Sequence, residues 1–399
     1  MTDRRAAPAG HAGLGLVLVL GGLNLFAPLS VDMYLPALPQ LTRDLAAPAS
    51  AGAMTVAAFY VGMCLGQLVH GPISDRIGRR TPLLAGIALY VAASAGAAAA
   101  PSIGLLIVFR FLMAVGGCAG LVVSRAAVRD RFSPQESAHV FSTLLLVMSL
   151  GPIVAPMIGS GILLVAGWRA IFWVLAGFGA LVGIATFFRL AESRSTEAAS
   201  HARGETAAQS YLALLREPQV MAYALAGGAS HAGLLTYLAV APDVLIGRGV
   251  SPQGFAWVVG VNGIGLITAN ILNRRLLARH HYDTILRRAN LCSLTAAAVL
   301  MIDAVTGFGG LAGLLVPLFA IVTAIGFTQP NAFAGALAHD PARSGAASAL
   351  VGCIQFGIGA IGASLAGLLH DGTARPMAAV ILTVYVIAFL SLRMVRPAR

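Results

Sequence analysis

The chain has 399 residues, of which 58% are hydrophobic and only 10% are charged, and its mean hydropathy is +0.84. A soluble protein carries about 25% charged residues, so this composition excludes a water-soluble globular protein and predicts an integral membrane protein. The formal net charge is +11. Because its arginines lie between apolar runs, we interpret this charge as a topology signal and not as a nucleic-acid-binding surface.

Twelve apolar runs follow one another along the chain, and each approaches or exceeds the roughly 20 residues that cross a bilayer as a helix. No long alternation of apolar and polar residues is present, which argues against an outer-membrane barrel. The first run is expected to be a membrane helix and not a cleavable signal peptide, because it exceeds the usual length of a signal-peptide core. The predicted spans are 13–35, 52–70, 81–100, 102–124, 139–166, 168–189, 219–241, 254–274, 286–304, 310–332, 344–369 and 374–394.

The orientation of these spans follows from the placement of the arginines, since the chain contains no lysine. With the N-terminus in the cytoplasm, 21 arginines fall in cytoplasmic segments or at cytoplasmic span ends and 4 in outer segments or at outer span ends, and Arg110 alone lies away from the ends of a span. Cytoplasmic loops carry the excess of basic residues in membrane proteins. The sequence therefore predicts that both termini are cytoplasmic.

The longest polar segment, 191–210, separates the sixth span from the seventh. We expect an N-terminal six-helix bundle at 1–190, a cytoplasmic linker at 191–217 and a C-terminal six-helix bundle at 218–399. Arginine-rich strings follow the second span of each half, SDRIGRR at 74–80 and NRRLLARHH at 273–281. The predicted fold is thus an all-α membrane protein of two pseudo-symmetric bundles, a plan in which transporters bind substrate between the halves.

Residues that could hold a metal or a cofactor are scarce. The four cysteines each lie inside an apolar run and no two are closely spaced, so we expect helix packing and neither a zinc site nor a disulfide framework. The sequence has no nucleotide-binding P-loop, no HExxH and no GxSxG. It therefore predicts no enzyme, no cofactor and no metal.

The first span carries a carboxylate near its end, in PLSVDMYLPALP at 28–39. Asn24, Pro28 and Asp32 are spaced by four residues and share one helix face. Removal of a carboxylate from water favours its protonated form, which suits reversible proton binding. The alternative is an interfacial residue that caps the helix end in water.

The string GPISDRIGRRTPLL at 71–84 follows the second span. Gly71 and Pro72 are expected to end that helix, and Gly78 to permit the turn. The order of its residues resembles the signature loop G-x-x-x-D-R-x-G-R-[RK] of the major facilitator superfamily. The resemblance implies a transporter in which this loop is a cytoplasmic latch that holds one conformation of the two halves. The latch residues are Gly71, Asp75, Arg76, Gly78, Arg79 and Arg80.

An arginine lies within the fourth span, in LLIVFRFLMAVGGCAG at 105–120. A guanidinium inside the membrane needs a carboxylate, carbonyl groups or water. The alternative is that Arg110 extends to the outer surface. An arginine followed by Gly116, Gly117 and Gly120 also resembles the helix-four motif of the same superfamily, which implies a part in proton coupling.

Two prolines interrupt the fifth span, in MSLGPIVAPMIGSG at 148–161. Pro152 and Pro156 are predicted to bend the helix, and a kinked packing helix is the alternative to a functional motif. The glycines predicted to allow close helix contacts are Gly151, Gly159 and Gly161. The pattern resembles the antiporter signature of facilitator-type drug exporters, although Ala155 and Pro156 replace the two glycines of its usual form G-P-x-x-G-G.

The string around Asp32, S-x-D-M-Y-L-P-A-L-P, resembles the first helix of the drug-resistance transporters named for bicyclomycin and chloramphenicol (Bcr/CflA). The strings AAVRD, GWRAIF and SGAASALVGCIQFGIGAI agree, so the resemblance covers nearly the whole chain. It implies that Asp32 takes part in proton or drug binding. Some relatives carry a second acid where this chain has Asn24, which leaves Asp32 as the main candidate. The candidate cavity residues are Asn24, Tyr34, Gln67 and Gln355.

These features favour proton-coupled export of a small amphipathic drug across a bacterial inner membrane by alternating access. The expected partners are the drug or a metabolite, protons and the lipid bilayer, and the resemblance implies a monomer. One alternative is a transporter of a natural metabolite or small peptide, by export or symport, and another is a non-transporting sensor or scaffold. Polar residues within the spans, His231 and Asn262 among them, could instead serve helix–helix hydrogen bonds.

Overall fold

A computed structural model of the chain describes residues 12–131, 134–190, 207–339 and 344–394. These residues form helices and connecting turns, with no β-strand among them. The helices are α1 (Ala12–Asp32), α2 (Leu38–Asp44), α3 (Ala49–Ile77), α4 (Arg80–Ala99), α5 (Ile103–Arg131), α6 and α7 (together Pro134–Arg189), α8 (Ala207–Leu215), α9 (Pro218–Ile246), α10 (Pro252–Leu276), α11 (Tyr282–Thr306), α12 (Gly310–His339), α13 (Ser344–Leu368) and α14 (Arg375–Ser391).

Gly167 divides the longest helical segment into two membrane spans. Its φ of 74° and ψ of 178° are open to glycine and strained for other residues, so 134–166 form α6 and 168–189 form α7. Ten segments are long and apolar enough to cross a membrane, one of which contains this break, and the shorter apolar helix α14 adds another. Apart from the short α2 and α8, the described helices therefore match the twelve predicted spans in number and order.

The first span ends earlier than predicted, at Asp32 and not at residue 35. A 3₁₀ turn at Leu35–Ala37 and the short helix α2 follow. Pro36 and Pro39 stand in the first turns of these two elements, where their missing N–H groups cost nothing. The prolines therefore redirect the chain immediately after the carboxylate of Asp32.

The second span ends later than predicted. Helix α3 continues through Pro72 to Ile77, and the hydroxyl of Ser74 donates a hydrogen bond to the carbonyl oxygen of Gly71 at 2.9 Å. Gly78, with a φ of 98°, ends the helix, and α4 begins at Arg80. The predicted latch loop is therefore largely the helical ends of α3 and α4, because a proline removes only one backbone donor.

Part of the predicted linker is helical. Residues 191–206 lie outside the described part of the chain, whereas 207–215 form α8. Leu214 of this helix packs with Val220 of α9 and with Ala347 of α13. The boundaries of the two halves at residues 190 and 217 stay a prediction.

The six spans before α8 and the six spans after it form two bundles, which meet where α3 packs against α13 and α6 against α10. Small residues make these approaches close. A Cβ atom on Gly367 would lie 2.6 Å from the Cβ of Ala53, and one on Gly263 would lie 2.6 Å from Cγ1 of Ile153. The outward faces carry exposed large apolar side chains such as Val165, as a lipid surround requires.

Candidate functional site

A cavity of about 210 Å³ lies between the two bundles. Four helices of the first bundle (α1, α3, α5 and α6) and four of the second (α9, α10, α12 and α13) supply its walls. Most of the lining is apolar or aromatic. The aromatic residues are Phe59, Tyr60, Tyr237, Phe333 and Phe356. The strongly polar residues are Asp32, Gln67, His231, Asn262 and Gln355.

Asp32 is the last residue of α1 and lines this cavity with only 3% of its surface exposed. Within the described ranges, its carboxylate has no hydrogen bond and no ion pair. A buried carboxylate without a cationic partner is costly in its charged form. The carboxyl group of Asp32 is therefore available to a group in the cavity without the loss of a contact to any described residue.

Arg110 is fully buried in α5, so it does not extend to the outer surface. Its Nη1 atom donates a hydrogen bond to the carbonyl oxygen of Ser30 at 2.7 Å. Its guanidinium carbon lies 4.2 Å from the ring centroid of Tyr34 and 4.4 Å from that of Phe59, close enough for cation–π attraction. Nε and Nη2 have no partner among the described residues, and no ion pair with Asp32 is present there.

Two of the predicted cavity residues serve helix packing instead of lining the cavity. The Nδ2 atom of Asn24 donates to the carbonyl oxygen of Leu20 at 2.7 Å and to Oγ of Ser124 at 2.9 Å. The hydroxyl of Tyr34 is hydrogen-bonded to that of Thr55 at 2.6 Å. The structure thus brings Asp32 to the cavity and places Asn24 in the contact between α1 and α5.

The other two predicted cavity residues do line the cavity, at the seam between α3 and α13. The side chain of Gln67 lies against Gly352, in the space that a Cβ atom at residue 352 would need. Gln355 accepts a hydrogen bond at Oε1 from Nε2 of Gln329 at 2.7 Å. Both amides therefore stand where the two bundles meet.

Several residues of the cavity were not selected from the sequence. Tyr60 lines the cavity and donates a hydrogen bond to the carbonyl oxygen of Leu235 at 3.4 Å. It precedes Gln67 by seven residues and so lies on the same face of α3, which was the sequence signal that could have identified it. Tyr237 accepts a hydrogen bond from Nδ2 of Asn262 at 3.0 Å. Asp243, a half-buried acid of α9 outside the cavity lining, was also overlooked, because the predicted span ended at residue 241.

Two glycines of α6 pack closely against the end of α1 and the residue that follows it. Gly151 packs against Pro28 and Gly159 against the backbone of Met33, the residue after Asp32. A Cβ atom at Gly161 would meet nothing within 4 Å, so the prediction of a close contact at that glycine was wrong. Pro156 is buried, and the side chain of Pro152 lies outside what the structure describes.

The structure describes the surroundings of some of the predicted latch residues and not of others. Arg79 is buried and its Nη1 atom donates to Oγ of Ser74 at 2.9 Å. Arg80 donates from Nη2 to the carbonyl oxygen of Phe187, at the end of α7, at 2.8 Å. A Cβ atom at Gly71 would meet nothing within 4 Å. The side chains of Asp75 and Arg76 are outside the described set, and the latch role stays a prediction.

Comparison with known proteins places this arrangement in a family. The sequence profile of the Major Facilitator Superfamily matches residues 20–363. The chain is 37% identical over 387 residues to an uncharacterized MFS-type transporter, YdgK, of Bacillus subtilis (strain 168), with 96% of each chain covered. It is 32% identical over 389 residues to a bicyclomycin resistance protein homolog of Haemophilus influenzae, covering 94% of this chain and 96% of the relative.

A solved structure of a D-xylose–proton symporter has the same fold, with a TM-score of 0.74 at 17% identity over 95% of this chain and 96% of the other. The profile match and the two relatives show that the chain belongs to the major facilitator superfamily. This membership confirms the predicted resemblance and the predicted fold, and identifies a multi-pass membrane transporter of small molecules that is not an enzyme.

Proposed function

We propose that this transporter exports a small amphipathic drug-like compound across the bacterial inner membrane in exchange for protons. The observation that carries the proposal is the position of Asp32, an acid with no protein partner among the described residues, on an apolar cavity between the two bundles. The relative described as a bicyclomycin resistance protein homolog supports an antibiotic-like compound as substrate.

The extent of the cavity lining favours an inward-facing conformation in this proposal. The excess of arginines favours a cytoplasmic location for the end where α1 begins and α3 ends, and for both termini. At the other end, α2 and the 3₁₀ turn, which follow Asp32 along the chain, pack against α9. From there the lining extends toward the cytoplasmic end, to Gln67, Leu121 and Phe333.

Coupling requires only that the proton and the compound compete for the same region. In the outward-facing state, Asp32 takes a proton from the more acidic outer side and the compound leaves. In the inward-facing state, Asp32 releases the proton to the cytoplasm as the compound binds. Because each ligand binds the two states with different affinity, each shifts the same equilibrium between them. The monomer that the family resemblance implies is the proposed transporting unit.

The proposal is tested in everted membrane vesicles that hold a respiration-driven proton gradient reported by a pH-sensitive dye. Chloramphenicol and bicyclomycin are added to the wild type, to Asp32→Asn and to Asp303→Asn. Asp303 is the matched control because it is a buried acid of α11 that does not line the cavity.

Dissipation of the gradient by either drug in the wild type and in Asp303→Asn, but not in Asp32→Asn, is the expected result. Equal responses of all three proteins would remove Asp32 from the coupling mechanism. The absence of any response in the wild type would contradict drug–proton exchange.

A second candidate function is transport of a natural metabolite or small peptide, by export or symport. It is favoured by the buried Pro156, which stands in α6 where the antiporter pattern has a glycine. Counterflow of labelled amino acids and dipeptides in proteoliposomes tests it. Counterflow of these compounds without any effect of the two antibiotics would favour this candidate over drug export.

A further inference from the structure

Two cysteines that are remote in sequence meet at the seam between the bundles. The Sγ atoms of Cys64 on α3 and Cys353 on α13 lie 3.2 Å apart, although 289 positions separate the residues. All four cysteines lie in the described part of the chain, and all four are free thiols. Their sequence positions predicted only a role in helix packing, because no two of them are neighbours along the chain.

The pair differs from the other two cysteines in its surroundings. Cys64 and Cys353 are half-buried, whereas Cys118 is fully buried in α5 and Cys292 is exposed on α11. Tyr60 and Gln67 of α3, and Gly352 and Phe356 of α13, line the central cavity within one turn of the pair. A small neutral oxidant in the cavity therefore has only a short distance to travel to the two thiols.

The helices around the pair leave room for a covalent bond. A disulfide brings two sulfur atoms to about 2.05 Å, so closure requires roughly 1 Å of approach, within the reach of small side-chain rotations. On α13, one turn beyond Cys353, a Cβ atom at Gly357 would lie 3.5 Å from Sγ of Cys64, which is ordinary van der Waals contact. Gly357, which has no side chain, therefore does not hold the two sulfur atoms apart.

We propose that Cys64 and Cys353 form an oxidation site at which peroxide ties the two bundles together reversibly. The thiol of one cysteine attacks hydrogen peroxide, which yields a sulfenic acid and releases one water. The second thiol then attacks that sulfur, so that the S–S bond forms and a second water leaves. Overall, two S–H bonds and one O–O bond break, two electrons pass from sulfur to peroxide, and a thiol reductant reverses the change.

The consequence for transport rests on the proposed function. Alternating access requires the bundles to move against each other, and α3 and α13 lie on opposite sides of that movement. A covalent link between these helices holds them in the arrangement described here. Oxidation therefore arrests the transporter, and reduction releases it.

The experiment treats the full-length protein, reconstituted in vesicles of phosphatidylethanolamine and phosphatidylglycerol, with hydrogen peroxide and then with dithiothreitol. Free thiols are blocked with a maleimide and the digested protein is analysed by mass spectrometry. Chloramphenicol transport is measured in parallel. The variants are Cys64→Ser, Cys353→Ser and Cys292→Ser, the last being a matched control outside the pair.

We expect a linked peptide pair containing Cys64 and Cys353 in the wild type and in Cys292→Ser, and none in the other two variants. Transport by the wild type is expected to fall to the level of protein-free vesicles after oxidation and to return with dithiothreitol. Transport by Cys64→Ser is expected to be indifferent to peroxide.

Two results would overturn the inference. If no linked peptide forms in the oxidised wild type, the pair is not an oxidation site. If the linked peptide forms and transport continues at its former rate, the link does not arrest the bundles. Failure of the proposed function is recognised separately, because the reduced wild type would then show no chloramphenicol transport while the peptide analysis still reports on the pair.

Discussion

Arg110 donates a hydrogen bond from Nη1 to the backbone carbonyl oxygen of Ser30, 2.7 Å away and two residues before Asp32. This bond attaches the last turn of α1 to α5. The Ser30 hydroxyl is also hydrogen-bonded to that of Tyr90 on α4 at 2.7 Å. The end of α1 that carries the cavity acid is therefore held from two neighbouring helices, while the acid itself has no protein partner among the described residues.

Arg110→Lys is expected to abolish drug transport and to lower the melting temperature of the purified protein. Lysine keeps the charge but cannot both reach the Ser30 carbonyl and lie flat on the rings of Tyr34 and Phe59. A cation–π contact contributes about 0.5–2 kcal/mol, and lysine is expected to keep only part of that attraction.

Arg169→Lys is the matched control for Arg110. Arg169 also lies on an aromatic ring, 4.1 Å from the centroid of Trp168, and also donates to a backbone carbonyl, but it is exposed and does not line the cavity. Transport is expected to survive this change. Full transport by Arg110→Lys would show that the guanidinium shape has no part in holding α1.

Gly159→Ala and Gly161→Ala are expected to differ although they are two residues apart. A Cβ atom at residue 159 would meet the backbone of Met33, whereas one at residue 161 would meet nothing within 4 Å. The first change is expected to cost about 1–3 kcal/mol through overpacking, and the second to be neutral or slightly stabilising. Thermal unfolding in detergent compares them, and equal melting temperatures would contradict the described contact of α6 with α1.

Gly352→Ala is expected to weaken the seam between α3 and α13, because the new methyl group would occupy the space of the Gln67 side chain. The expected loss is again about 1–3 kcal/mol. Gly357→Ala, whose new Cβ would lie at an ordinary contact distance of 3.5 Å from Cys64, is the control.

The added change Gln67→Ala should restore the thermal stability of Gly352→Ala by removing the obstructing amide. A double variant that is no more stable than Gly352→Ala would mean that the backbone of α13, and not Gln67, opposes the methyl group. The coupling between the two changes is read from a double-mutant cycle of melting temperatures.

Asn24→Ala is expected to leave drug transport almost unchanged. Its side chain joins α1 to α5 through Ser124 and does not line the cavity. Loss of one such interhelical hydrogen bond in a membrane protein costs about 0.6 kcal/mol on average. Proton-gradient dissipation and thermal unfolding are measured for Asn24→Ala, Ser124→Ala and the double variant. A large loss of transport with unchanged stability would return Asn24 to the substrate site.

Much of the architecture was predictable because membrane spans are encoded locally. A run of apolar residues must form a helix to satisfy its backbone in lipid, so the twelve spans and their order follow from composition alone. The unusual polar groups Asp32 and Arg110 were also evident, since a charged residue within an apolar run is energetically costly and is therefore a candidate for function. The extension of α3 past Pro72 could not be predicted from the sequence, because continuation of a helix through a proline depends on the packing around it.

By itself, the sequence determined that this is a twelve-span membrane protein with an acid at the end of its first span and a signature string after its second. The tertiary structure alone decided which polar residues meet. Asn24 joins two helices and Gln355 lines the cavity. Arg110 lies against aromatic rings, and Cys64 lies beside Cys353. The physical reason is that apolar helices have no strongly polar face to fix their rotation, so these pairings depend on how small and large side chains interlock across the bundles.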